Sequence, residues 1–179
     1  MRIFGLMLAG ALGACAMTPM HTATTTLVAA DAATALAAGQ QLTMTIETPG
    51  QTPPEGEDPV ILMRLRNSEG RLMSFDQSNH APMHVMAQGA GGPLAQVMGL
   101  FGDERPTLYG ARRDENEGAP FFCGESGPVA LGYYEGADGA IQIVGLSQEF
   151  GFESRPDGSY GALPYSPDQV CARLRFRRQ

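Results

Sequence analysis

The densest cluster of metal-ligating side chains in this 179-residue chain lies within residues 76–86, DQSNHAPMHVM. The candidate ligands are His80, Met83, His84 and Met86. Imidazole and thioether form a soft ligand set that favours copper, above all Cu(I). If residues 82–88 form a strand, His84 and Met86 share one face of it. The alternative is that His84 is an ordinary strand residue and the methionines fill the core, in a chain with ten Met.

The segment from Leu42 through Met86 resembles exported Ig-like domains carried by some metal-handling envelope proteins. Those domains have an alternating strand, a Gly turn and then a His-x-x-Pro-Met-His-type run. His80, Pro82, Met83 and His84 stand close to that spacing, one residue short. The resemblance implies a periplasmic protein that handles copper or silver.

A second chemical feature is the apolar stretch near the N terminus. Arg2 is the only charge before Asp31, and residues 3–14 are all apolar or small. This run is too short to cross a bilayer, which takes about 20 residues, and its length is typical of a secretory signal. We therefore expect export of the chain.

The apolar stretch ends in Leu12-Gly13-Ala14-Cys15, which resembles the lipobox of bacterial lipoproteins. In that family the cysteine thiol receives a diacylglycerol and a peptidase cuts before it. The resemblance implies a signal peptide over residues 1–14 and a lipid anchor on Cys15, since two or three acyl chains give stable attachment to a membrane. Ala16 follows the cysteine, which by the family's sorting rule favours the outer membrane, with the protein facing the periplasm. The alternative is an ordinary cleaved signal.

Composition narrows the function classes. The formal net charge is −7, so nucleic acid is not an expected partner. All 12 basic residues are Arg. The 23 Gly and 13 Pro are typical of a turn-rich β domain, and the length after the signal suits one domain.

The two remaining cysteines, Cys123 and Cys171, predict a disulfide, because an even pair in an oxidising compartment is usually oxidised. Such a bridge would close a loop of about 49 residues and contribute about 4 kcal/mol. The alternative is two reduced thiols.

Residues 15–39 are rich in Ala and Thr, and we interpret them as a flexible tether. Within them, residues 27–38 have the composition of a short helix, with Thr26 as N-cap and Gly39 at the C-terminal cap. This places one β domain over residues 40–179.

Short apolar runs separated by turns predict the strands of that domain. Residues 42–48 alternate, with Leu42, Met44 and Ile46 on one side. Residues 94–100 fit a helix as well as a strand. The other predicted strands are 60–67, 71–75, 82–88, 107–109, 120–123, 129–135, 140–147, 149–153 and 169–177. About ten short antiparallel strands indicate an all-β small barrel or sandwich.

The last predicted strand carries a row of positive charge. Arg173, Arg175 and Arg177 alternate with apolar residues, and Arg178 follows. Like charges at alternate positions repel, so we expect partners among the acids of residues 103–104 and 114–117. The alternatives are a salt-bridged sheet edge and a surface that binds an anionic partner.

The stretch Phe121-Phe122-Cys123, followed by the apolar run up to Tyr133, resembles the small barrel lipoproteins that inhibit c-type lysozyme. Asp157-Gly158-Ser159-Tyr160 partly matches the Ser-Gly-x-x-Tyr strand of that family. This resemblance implies a lipid-anchored, disulfide-closed, all-β protein that inhibits a hydrolase.

No nucleophile, base and orienting group occur together at a recognisable spacing. We therefore expect a non-catalytic binding module rather than an enzyme. Its expected partners are the membrane, through the lipid anchor, and a protein of the envelope. No cofactor is expected unless the His/Met cluster binds Cu(I).

Overall fold

The computed structural model describes residues 20–50, 60–77 and 86–179. The all-β class and the small barrel predicted from the sequence are confirmed. The strands and helices, in chain order, are β1 Met20–Ala29, α1 Ala32–Ala38, β2 Gln41–Pro49, β3 Ile61–Asn67, β4 Leu72–Gln77, α2 Pro93–Met98, β5 Thr107–Ala111, β6 Ala130–Glu135, β7 Ala140–Leu146, β8 Phe152–Ser154, β9 Tyr160–Ala162 and β10 Val170–Arg178.

Eight of these strands form a closed antiparallel barrel. Strands β1 to β7 are paired in chain order, and β10 lies between β7 and β1 and closes the sheet. Strands β8 and β9 form a separate hairpin in the connection from β7 to β10. Closure leaves the barrel without a free side, so β10 is an interior strand of the sheet and the sheet edge expected there does not exist.

Because neighbouring strands run in opposite directions, their connections alternate between the two ends of the barrel. The end at which β1 begins, here called the entry end, also holds the β2–β3 and β4–β5 connections, the β6–β7 turn and the end of β10. The opposite end, here called the disulfide end, holds α1, the β3–β4 turn, the β5–β6 loop and the β8–β9 hairpin.

Alternating apolar residues from every strand fill the barrel interior, as an eight-stranded barrel allows. The predicted inward face of β2 is confirmed, since Leu42 and Met44 are fully buried, and Met63 and Leu65 of β3 are fully buried as well. Phe176 of β10 is also fully buried. The centre of the barrel is therefore a packed core.

Strand β1 corrects the prediction of a flexible tether over residues 15–39. Residues Met20 to Val28 pair with β2, and Leu27 is fully buried in the core. The composition was misleading because Thr is β-branched and fits a strand well, while a single large apolar residue is enough to fix this strand's inner face. The folded domain includes residues 20–39, ahead of the predicted boundary at Gln40.

The seam between β1 and β10 is short. Its register joins Leu27, Val28 and Ala29 to residues 176–178 of β10. Backbone bonds flank it on both sides: the amide of Ala30 donates to the Arg175 carbonyl at 2.8 Å, and the amide of Gln179 donates to the Thr26 carbonyl at 3.0 Å. These few bonds complete the barrel.

Helix α1 follows this seam and is shorter than the predicted helix. Asp31, not Thr26, is its N-cap, since the Asp31 carboxylate accepts a hydrogen bond from the Thr34 amide at 2.7 Å. The predicted C-terminal cap at Gly39 is confirmed, with a positive φ of 96°. Ala38 packs into the barrel core, so α1 covers part of the disulfide end.

A second apolar layer covers the outer surface of β5, β6 and β7. The ambiguous residues 94–100 contribute helix α2, whose Leu94 and Val97 are buried against these strands. Gly132 of β6 permits the close approach, because a Cβ there would lie 2.6 Å from Leu94 Cδ1. The helical alternative is therefore the observed one.

The predicted disulfide between Cys123 and Cys171 is confirmed, with Cα atoms 5.0 Å apart. A β-bulge between Val170 and Ala172 interrupts the pairing of β10 with β7. Gly145 lies beneath the bridge, where a Cβ would be 2.5 Å from the Cys123 Sγ. The bulge also places Val170 in the outer apolar layer, away from the core face that Leu174 occupies.

Two predicted strands differ from the structure. Residues 120–123 form a loop whose two phenylalanines, Phe121 and Phe122, pack edge to face with ring centroids 5.4 Å apart and enter the barrel core. Of residues 82–88, residues 82–85 lie outside the described ranges, and Met86 begins a helical turn. Aromatic runs beside Gly and Pro match a strand in composition, but here the disulfide and the Gly turns direct the chain into the barrel end.

Candidate functional site: an arginine groove on strand β10

Most of the predicted metal and lipid sites fall outside the described residues. This applies to Cys15, His80, Met83 and His84. Met86 is described and is partly buried. Within residues 20–50, 60–77 and 86–179, no group of three or more His, Cys, Asp or Glu side chains is arranged to hold a metal ion. The copper site remains a prediction from the sequence.

The predicted arginine row is present on the outer face of β10. Leu174 and Phe176 point into the core, so Arg173, Arg175 and Arg177 project outward, and all three are exposed. Across the sheet, Arg175 is paired with Gln142 of β7 and Arg177 with Ala140. Neither neighbour carries a charge that offsets the guanidinium groups.

Two of the four predicted arginines have partners within the protein. Arg173 donates to the carbonyl oxygen of Val97 near the end of α2, which ties the outer layer to the barrel. Arg178 lies on the other face of β10 and contacts the Glu135 carboxylate at 2.6 Å. These two arginines therefore have structural roles, and Arg178 does not extend the outward row.

Arg178 belongs to a small polar cluster at the entry end. Its hydrogen bond holds the pKa of Glu135 below the usual range, and the Tyr133 hydroxyl donates to the same carboxylate at 2.9 Å. Burial, assisted by this carboxylate, raises the pKa of Tyr133 to about 12. The cluster consists of a neutral tyrosine and an ion pair, and it links the end of β6 to the end of β10.

Arg175 and Arg177 differ from the other two. Among the described residues, no carboxylate lies within ion-pairing distance of either guanidinium. Both line a surface groove of about 460 Å³ that lies over β10 and the start of β7, beside the connection from β1 to α1. The groove is lined by Ala30, Asp31, Ala140, Ile141, Gln142, Arg175, Phe176 and Arg177.

The start of α1 forms one wall of this groove. The side-chain oxygen of Thr34, a fully buried residue, accepts a hydrogen bond from the Arg175 amide at 2.9 Å. Asp31 is engaged as the helix cap, and the Thr34 amide is the main cause of its lowered pKa, with a smaller contribution from Arg175. The wall is thus fixed in place, while the two arginine side chains extend beyond it.

Three of the acids predicted to pair with this row, Glu104, Glu115 and Glu117, have other partners. Glu115 contacts Arg112 at 2.9 Å and Arg64 at 3.5 Å, and Glu117 contacts Arg66 at 2.9 Å. Glu104 accepts a hydrogen bond from the Tyr134 hydroxyl, which is the main cause of its lowered pKa. The prediction that these acids neutralise the β10 row is wrong, because the closed barrel places Glu115 and Glu117 beside β3 and β4 instead.

The sequence pattern predicted the arginines of the groove but not its other wall. Asp31 and Thr34 lie within the predicted tether, and Gln142 lies within the predicted strand 140–147, for which the pattern predicts no binding role. The signal for Asp31 was present, since it is the lone charge ahead of an Ala-rich run and Asp is a favoured N-cap. What joins these residues is the β1–β10 seam, a contact between the two ends of the domain.

Among the described residues, no helix has the length and apolar character needed to cross a bilayer. Comparisons of the chain with protein-family models, with curated proteins and with solved structures found no match.

Proposed function

We propose that this protein is a lipid-anchored, non-catalytic binding module of the cell envelope, and that its β10 groove binds an acidic segment of an envelope protein. The observation that supports this most directly is the exposed pair Arg175 and Arg177, which has no carboxylate partner among the described residues. In a protein of net charge −7, such a pair is a local positive site in an acidic surface.

The spacing of the two arginines favours an extended ligand. Residues two apart on a strand lie on the same face, about 7 Å from each other. Carboxylates at alternate positions of an extended acidic peptide repeat at the same distance. Arg can bind carboxylate through two parallel hydrogen bonds, which adds geometric specificity. Ala30 and Ala140 leave room between the side chains for such a peptide.

The direct test is titration of the lipidated protein in detergent micelles with poly-L-glutamate. We expect the double variant Arg175→Gln/Arg177→Gln to bind about tenfold more weakly or worse, which corresponds to about 1.4 kcal/mol. A control of equal net charge is Arg64→Gln/Arg66→Gln, which removes two paired arginines from β3. Equal loss of binding in both variants would show that only net charge matters, and the groove assignment would then be dropped.

The anchor is tested separately. Replacing Cys15 with Ser should abolish incorporation of labelled palmitate and release the protein from the membrane fraction, since acyl chains supply the attachment. A serine variant that still takes up palmitate would contradict lipidation at this residue.

Inhibition of a lysozyme is a second candidate function. The closed barrel and the Cys123–Cys171 bridge agree with the architecture that the resemblance to lysozyme-inhibiting lipoproteins implies. Asp157 fixes the exposed turn of the β8–β9 hairpin by accepting from the Ser159 hydroxyl at 2.7 Å. Near-stoichiometric protein should slow lysis of cell walls by c-type lysozyme, and undiminished lysis would exclude this function.

A further inference from the structure

We propose that the entry end of the barrel faces the lipid bilayer and that Phe101 inserts into its interface. This orientation rests on the lipid anchor at Cys15 included in the proposed function. It concerns the surface that the membrane covers, whereas the arginine groove is the surface proposed to bind a protein segment. Phe101, Met20 and Val60 are not among the residues that line the groove.

The length of chain between the anchor and the barrel limits the orientation. Only four residues, Ala16 to Pro19, separate Cys15 from Met20, where β1 begins at the entry end. A fully extended chain spans at most about 3.6 Å per residue, so Met20 lies within about 18 Å of the lipidated cysteine. The disulfide end is farther away by the length of the barrel. The entry end is consequently the end held at the membrane surface.

Exposed hydrophobic side chains occur at both ends of the barrel, with Leu36, Tyr160 and Leu163 at the disulfide end. The length of the tether, and not exposure, therefore selects the entry end, which carries three exposed hydrophobic residues. Phe101 has 82% of its surface exposed, Met20 44% and Val60 38%. Met20 begins β1, Val60 directly precedes β3, and Phe101 lies six residues before β5, so all three are on connections of the entry end. Phe is favoured where a protein meets the bilayer interface.

The turn that carries Phe101 is built to hold it outward. Its amide donates to the Glu104 carboxylate at 3.0 Å, and the same carboxylate accepts from the Tyr134 hydroxyl, near the end of β6. Gly99 and Gly102 take positive φ values of 69° and 66° on either side. Leu100 next to it is buried in the outer apolar layer. Phe101 is therefore excluded from the core by a fixed turn.

The charges next to Phe101 indicate which lipids suit it. Asp103, Glu104 and Arg105 are exposed and follow after Gly102, so they would lie at headgroup depth. Their net negative charge is repelled by anionic headgroups and tolerated by zwitterionic ones. We therefore expect insertion into phosphatidylcholine vesicles to exceed insertion into phosphatidylglycerol vesicles.

The chain contains no Trp, so a single introduced Trp reports its own surroundings. The lipidated Phe101→Trp protein is reconstituted into phosphatidylcholine vesicles that contain brominated lipid. The matched control is Leu36→Trp, at a residue of α1 with 91% exposure at the disulfide end. We expect blue-shifted, bromine-quenched emission from residue 101 and neither effect at residue 36. Met20→Trp is a second reporter and should also be quenched.

Vesicle flotation in the same samples separates this inference from the anchor. Protein that floats with the vesicles while residues 101 and 20 emit as in water would overturn the orientation and leave the anchor intact. Equal quenching at residues 101 and 36 would overturn it as well. Protein that does not float would contradict the anchor, and the orientation would fall with it.

Discussion

The two rows of outward arginines, on β3 and on β10, have opposite surroundings. On β3, Arg64 contacts the carboxylates of Glu47 and Glu115, and Arg66 contacts Glu117 and the Gly70 carbonyl. On β10, the middle arginines face an uncharged strand on either side. Both rows have the same spacing on the same kind of surface.

The difference shows that charge pattern along one strand does not determine its role. The neighbours across the sheet and the loops that cross it decide whether an arginine is neutralised. The loop after β5 brings two acids to the β3 side through the bridge between Leu72 and Glu117. Beside β10, Asp31 lines the groove but is engaged as the cap of α1, and no described carboxylate lies within ion-pairing distance of Arg175 or Arg177. This contrast supports a structural role for one row and a binding role for the other.

The largest expected effect is on the stability of the folded protein when an arginine of the β3 row is replaced. Arg64→Gln should lower the free energy of unfolding by about 1–2 kcal/mol, because it leaves Glu47 and Glu115 partly buried without their shared partner. Urea unfolding followed by circular dichroism measures this. The matched variant Arg175→Gln should change stability by less than about 0.5 kcal/mol. Equal losses would remove the distinction between the rows.

The next largest expected effect is on ligand binding. It is tested by adding an acid directly across the sheet from the β10 row. Gln142→Glu places a carboxylate directly opposite Arg175, as Glu47 contacts Arg64 on the other side. We expect binding of poly-L-glutamate to weaken about fivefold, or about 1 kcal/mol, since the new pair competes with the ligand. Thr43→Glu, opposite Arg66, is the control and should leave binding unchanged. An unchanged affinity for the Gln142 variant would argue against the groove.

A smaller expected effect is a difference between the two rows in how protein stability depends on pH. The hydrogen bond from Arg66 lowers the pKa of Glu117. Its contribution to stability is therefore present above the unfolded pKa, near 4.5, and is lost as the pH falls through the folded value. The Glu117→Gln variant should lose less stability than the parent protein between pH 7 and pH 3, measured by urea unfolding at each pH.

The control for this pH series is Arg177→Gln, which has no described carboxylate partner. Its stability should follow the parent curve at every pH, with at most a constant offset. A shallower acid limb in the Arg177 variant would reveal a carboxylate paired with β10 and would contradict the comparison.

Much of the barrel was predictable because its strands alternate. The inward face of β2 and the alternation of β10 followed from period-two hydrophobicity, and the disulfide followed from counting cysteines. Strand β1 was missed because its exposed residues are Thr and Ala, which also occur in linkers. Its identity depends on pairing with β2 and β10, and no local pattern contains that information.

The candidate site was only partly predictable for the same reason. The row Arg173, Arg175 and Arg177 is local and was found. Which of these arginines are neutralised depends on barrel closure, on the carbonyl of Val97 and on the path of the β5–β6 loop. Long-range contacts of this kind lie beyond reasoning from one strand at a time, so the predicted acid partners were assigned to the wrong row.

The short seam between β1 and β10 is a weak point in the closure of the barrel. With only three register pairs, the amides near Val28 and Arg177 should exchange hydrogen earlier than those of the longer β1–β2 ladder. The groove is lined by Asp31 from one side of this seam and by Arg175 from the other. A ligand bound there would contact both sides of the seam and slow its opening. Slower hydrogen exchange of the amides at the seam would therefore report occupancy of the groove.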